Sequence, residues 1–153
     1  MVTFEDILQK DGKLVYRTKG RSMEPMLRQD RDLVIIEVPS SHLQKYDVAL
    51  YKRGDMYVLH RVIGQGEGYY RIRGDNTYAV ERVSFESVIG VLTAFQRKGK
   101  THEVSEPGYR FYARLWNAIY PLRALWIKMK RLLVAIVRKL GLLPALKKLL
   151  RRG

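Results

Sequence analysis

The stretch DVALYKRGDMYVLHRVI, residues 47–63, decides the fold. It holds two runs rich in Val, Leu and Tyr, 47–53 and 56–63, with Arg53-Gly54-Asp55 between them. Branched and aromatic residues suit a pleated, half-buried surface, and a glycine-centred break supplies a reversal. The reading is strand, turn, strand. The same grammar extends outward through LVYRT (14–18), DLVIIEV (32–38), GYYRIRG (68–74) and SVIGVLTAF (87–95), several of them alternating with period two. Pro39-Ser40-Ser41, Gly64-Gln65-Gly66 and Gly74-Asp75-Asn76 supply further turn signals. Strands spaced about ten residues apart predict an antiparallel β-sandwich or partly open barrel. Upstream, Thr3 is placed to cap a helix over FEDILQK, with acids in its first turn.

A chain of 153 residues with 46% hydrophobic content suits one domain with a real core, extended by an appendage. It contains no cysteine, which excludes disulfides and thiolate metal sites. Its three histidines, at 42, 60 and 102, form no ligand cluster, so neither metal nor other cofactor is expected. The opening MVTFEDILQKDG has acids within its first six residues and no apolar run, and reads as neither a signal peptide nor an anchor.

The net charge of +14 is unevenly spread. Residues 1–108 carry 17 Lys/Arg against 15 Asp/Glu, a net of +2, whereas residues 109–153 carry 12 Lys/Arg and no acid. Two regions follow: a β domain over 1–106 and a basic helical tail over 107–153. Within the tail, Pro121 separates a helix around YRFYARLWNAIY from a second over 122–140. In that second helix Leu122, Leu125, Trp126, Met129, Leu132, Leu133, Ile136, Val137 and Leu140 form one stripe, with the cations outside it. Gly141 is read as its end, and Pro144 as the opening of a short last helix, ALKKLLRR. The tail has two competing fates. It can pack its stripe on the β domain, or lie on an anionic membrane surface, which its tryptophans and acid-free cationic flanks suit. Nucleic-acid binding ranks below both. The lack of an export signal points to a cytoplasmic location, peripheral on the inner face of the membrane if the tail binds lipid.

Three polar groups stand at strand edges: Ser22 in GRSMEPML (20–27), His60 in VLHRVI, and Asp75 in RIRGDN. A serine is a poor nucleophile alone, but an imidazole can take its proton and a carboxylate can hold the imidazole's tautomer. Without further information the plainer reading is a turn serine, a sheet histidine and a turn aspartate. His42 and His102 read as solvated loop residues.

Taken in order, GRSMEPML, DLVIIEV, KYDVALY, LHRVI, RGDN and VIGVL resemble the signal peptidase family of serine proteases over residues 18–92. The resemblance implies a mostly antiparallel β domain. A histidine directly before Arg-Val matches the family's Ser-His branch, which makes Ser22 the nucleophile and His60 the general base. For the third member it offers Asp75, in Gly-Asp-Asn, and Glu81, six residues later. Met23 and Pro25 would shape the turn and line the substrate cleft. Many relatives carry a hydroxyl two residues before the nucleophile. Here Gly20 stands there, so backbone N–H groups including that of Ser22 must bind the oxyanion, and each such donor is worth ~3 kcal/mol. Lys45 and Lys52 could mimic the Ser-Lys dyad of the related repressor-cleaving autoproteases, but His60 occupies the better-matched position.

Two functions are therefore expected to compete. One is a serine endopeptidase that removes a leader or signal segment, with small residues flanking the cut as the family resemblance implies. The other is a non-catalytic peptide-binding module, tethered by its basic tail to a membrane or nucleic acid. The joint presence of Ser22, His60 and Asp75 favours the first.

Overall fold

The computed structural model describes residues 2–139 and divides into two compact units that meet between Ala118 and Ile119. The first is mainly β. It opens with helix α1, Phe4–Asp11, whose Thr3 side chain accepts from the Asp6 N–H while Asp6 accepts from the Thr3 N–H. This reciprocal cap satisfies two donors that a helix start leaves open, and Gly12 closes the other end at φ +68°.

Eight strands follow: β1 Lys13–Arg17, β2 Leu33–Glu37, β3 Val48–Arg53, β4 Met56–Gly66, β5 Tyr69–Arg73, β6 Glu81–Ser84, β7 Val88–Arg97 and β8 Lys100–Glu103. They form one open antiparallel sheet in the order β1-β2-β7-β3-β4-β5-β6. β7 is long enough to pair β2 along one edge and both β3 and β8 along the other. The expected mainly-β architecture with a helical C-terminal tail is present, built from a single sheet.

Alternation explains the two cores. In β3, Val48 and Leu50 join Leu14, Val34, Ile36, Leu92 and the Met23-Met26-Leu27 loop on one side. Ala49 and Tyr51 join Val62, Tyr70, Ile72 and Val83 on the other. That strand is buried on both faces, which is why its run VALY is apolar throughout.

Three local readings need correction. The turn expected at Gly64-Gln65-Gly66 is not there: β4 runs through Gly66 with a bulge near Gly64, and the reversal falls at Gly68, φ +77°. Gly66 is small because the Tyr69 ring lies where a side chain would begin. The strands β6 and β8, polar and at or near sheet edges, have no apolar run to mark them, and His102 lies in β8 rather than in the expected loop.

Helix α2, Pro107–Ala118, belongs to the first unit, which therefore reaches beyond the compositional boundary at residue 106. Ala113 is buried, and Tyr109, Tyr112, Trp116 and Asn117 all bond to groups of the β region. Helix α3, Tyr120–Lys139, lies in the second unit, with Pro121 in its first turn where a missing N–H costs nothing. None of its residues is buried. The end expected at Gly141 and the short helix after Pro144 lie outside the described residues.

Candidate active site

Ser22 sits in the segment between β1 and β2, and that segment is pinned from beneath. Asp32 is fully buried and accepts from the Arg28 N–H at 3.0 Å and from Arg31 and Arg97. Burial pushes its carboxyl up, but these donors outweigh that and hold it at about 2. Arg97 also reaches the Met26 carbonyl, and Met23 O accepts from Leu27 N–H at 2.9 Å. Closer to the serine, the Asn76 N–H donates to Ser22 O at 2.7 Å, and Asn76 Nδ2 donates to Arg21 O at 3.2 Å. The turn after β5 therefore fixes the backbone that carries the hydroxyl.

His60 comes from β4, opposite Ala49 and diagonal to Tyr51. It is buried, and its two ring nitrogens face different neighbours. Nδ1 lies 3.3 Å from Glu81 Oε1 and 3.2 Å from the Tyr51 hydroxyl. Tyr51 donates to Glu81 Oε2 at 3.0 Å, and Arg53 donates to the same oxygen at 3.1 Å. Nε2 lies toward Gly74: a methyl built there would stand 3.0 Å from Nε2 and 2.7 Å from Ser22 O. Glycine is thus required where the imidazole and the serine backbone close on one point. Burial lowers the His60 pKa below its ordinary value; Glu81 opposes this and Arg53 reinforces it.

Asp75 is placed differently from the expected sheet-edge carboxylate. It is buried, and Arg61, itself fully buried, reaches both of its oxygens at 2.8 and 2.7 Å. Tyr112 donates to the same carboxylate, and Trp116 Nε1 to its backbone carbonyl at 3.0 Å. Arg61 also binds Tyr46 O and the Tyr109 hydroxyl. Asp75 is the centre of the joint between α2 and the sheet, and the carboxylate beside the imidazole is Glu81.

Ser22, His60 and Glu81 line one cavity of about 900 Å³, with Gly20 and Met23 in the same wall. Gly20, at φ +85°, donates its N–H to the Gln29 side chain at 2.9 Å. Pro25 follows a cis peptide bond and lines a separate pocket with Phe95 and Tyr112, away from the cleft it was expected to line. The other candidate bases are held elsewhere: Lys52 pairs with Glu5 at 3.5 Å, Lys45 lies over the Tyr46 ring, and His42 contacts the Tyr70 hydroxyl. Tyr51 and Arg53 carry no motif signal, and only their register beside β4 reveals them.

No family model matches the chain, and neither does any curated protein.

Proposed function

We propose that this chain is a serine endopeptidase, with Ser22 as nucleophile, His60 as general base and Glu81 as the group that orients the imidazole. The observation that carries the reading is the two-sided placement of His60, with Nδ1 beside Glu81 and Nε2 against Gly74, the glycine that also closes on the Ser22 carbonyl. A proton on Nδ1, facing Glu81 and the Tyr51 hydroxyl, leaves the Nε2 lone pair free. As Ser22 Oγ attacks the scissile carbonyl carbon, Nε2 takes the hydroxyl proton and the C=O electron pair moves onto oxygen. The Ser22 N–H is the backbone donor for that oxyanion. Collapse breaks the C–N bond, and the imidazolium returns its proton to the leaving amine. Water then repeats the sequence on the acyl-enzyme. By resemblance to signal peptidases, the substrate is a precursor peptide that loses a leader segment.

Mass spectrometry after incubation with a serine-reactive phosphonate tests this. Labelling at Ser22, abolished by Ser22→Ala and slowed by His60→Ala, is expected, together with peptide cleavage that both substitutions suppress. Cleavage that survives Ser22→Ala would remove the reading.

The same proposal extends to location. Among the described residues no helix is long and apolar enough to cross a membrane. In α3, however, Leu122, Leu125, Trp126, Met129, Leu132 and Leu133 are all exposed, Trp126 by 65%. An apolar stripe flanked by Lys/Arg, with no acid from residue 109 onward, suits the surface of an anionic leaflet. The chain is thereby peripheral, on the cytoplasmic face where such lipids concentrate.

A further inference from the structure

The cavity beside Ser22 is far larger than small flanking side chains would fill. Its about 900 Å³ lie near the top of the range of roughly 300–1,000 Å³ that holds whole drug-sized ligands. Its walls are mostly apolar: Phe4, Tyr16, Leu27, Tyr57, Val58 and Leu59. Three of these form an aromatic cluster, with Phe4 stacked on Tyr57 at 4.3 Å and tilted against Tyr16 at 5.0 Å. The cluster is braced from behind. The α1 cap sets the position of Phe4, and the Tyr57 hydroxyl bonds to Glu5, which pairs with Lys52. Rigid, partly exposed rings facing a cavity remain in contact with water until an apolar group covers them. A methyl group would leave most of that surface uncovered, because dispersion falls away within an ångström of contact.

A second observation is independent of the first. Thr18 lines the same wall, is only 8% exposed, and its Oγ1 is buried without a hydrogen-bond partner among the described residues. A buried hydroxyl left unmatched is unfavourable, and a turn about χ1 toward the cavity would let it donate to a carbonyl arriving with a ligand.

We infer that this cavity is a subsite for a bulky aliphatic or aromatic side chain next to the scissile bond, with Thr18 donating to a backbone carbonyl of the same peptide. The substrate class is then a peptide with Leu, Phe or a similar residue beside the cut, in place of the small residues expected from the family resemblance. The inference rests on the peptidase reading for the identity of the ligand as a peptide.

Capped tetra-alanine peptides, and versions carrying one Leu or Phe at each position in turn, test it by calorimetry on the full chain and on its Ser22→Ala variant. Both proteins should bind the best Leu or Phe peptide about tenfold or more tighter than tetra-alanine. Ala79→Trp, which fills the cavity from its exposed rim, should erase that preference while circular dichroism stays unchanged. Thr18→Val should weaken the whole series several-fold and leave the preference intact. Equal affinities across the series, or no binding by any peptide, overturns the subsite. Cleavage of these peptides by the unaltered chain but not by Ser22→Ala is read separately, so the subsite and the peptidase assignment fail on different measurements.

Discussion

At the scale of residues, two carboxylates lie close to the imidazole and do different work. Glu81 Oε1 lies 3.3 Å from Nδ1, so under the proposed mechanism Glu81→Gln should cut turnover by about 10³-fold or more while the melting temperature stays near that of the parent, because an unoriented ring presents the wrong tautomer. Asp75 neutralises a guanidinium with no exposed side chain. Asp75→Asn should therefore cost about 3–5 kcal/mol of stability, read from denaturant midpoints, since it leaves Arg61 charged and uncompensated in the interior. An Asp75→Asn protein that melts normally yet has lost turnover would return the orienting role to Asp75. The pH profile belongs to this scale too. Burial lowers the His60 pKa, so the neutral imidazole persists to lower pH, and if it is the base as proposed the acid limb of kcat/KM should fall below the ordinary histidine value of 6.5.

Among elements, the serine loop and α2 matter most, because side-chain bonds outside the strand ladders fix both against the sheet. Asp32 anchors the loop, and its carboxyl is depressed in the folded state from 3.8 to about 2. A depressed pKa means stability that is fully present above the unfolded value and is lost as pH falls through the folded one. Acid unfolding between about pH 4 and 2 should therefore carry a component worth on the order of 2 kcal/mol that Asp32→Asn lacks, measurable as a flatter dependence of stability on pH. Helix α2 holds the other side. Its Trp116 donates to Asp75 O, one residue from the Asn76 N–H that fixes Ser22. Trp116→Phe should cost about 1 kcal/mol of stability and loosen the serine backbone as well, lowering kcat more than it raises KM.

For the molecule as a whole, negative charge and the exposed stripe of α3 are separated along the chain: the acids all precede residue 109, and the stripe follows Tyr120. The full chain should co-sediment with vesicles containing phosphatidylglycerol, more weakly as salt rises, because screening shortens the reach of its cations. A chain ending at Ala118 should remain folded and lose that binding, since α2 stays with the compact unit while α3 is removed. Equal sedimentation of both chains would eliminate the lipid role.

How much of this was legible in the residues follows from what each signal depends on. Val-, Ile- and Tyr-rich runs, the Thr3 cap and the α3 stripe are local patterns, set by backbone propensity and by which face must leave water. Among the described residues, six of the eight strands and the three α-helices were readable from them. The strands β6 and β8 were not, because ERVS and KTHE owe their conformation to a partner edge and not to their own composition. The motifs at Ser22, His60 and Asp75 stood out in the sequence, and Glu81 entered only through the family resemblance, but their assembly was not legible. The choice between Glu81 and Asp75 depends on Arg61, a residue fourteen positions before Asp75 and buried beneath it. The division of the tail, α2 on the sheet and α3 exposed, likewise turns on hydrogen bonds that Tyr112 and Trp116 donate and Tyr109 accepts, joining distant parts of the chain. Periodicity determined which segments became strands and helices; only tertiary packing decided which charges met, because a buried ion pair links residues that no local pattern connects.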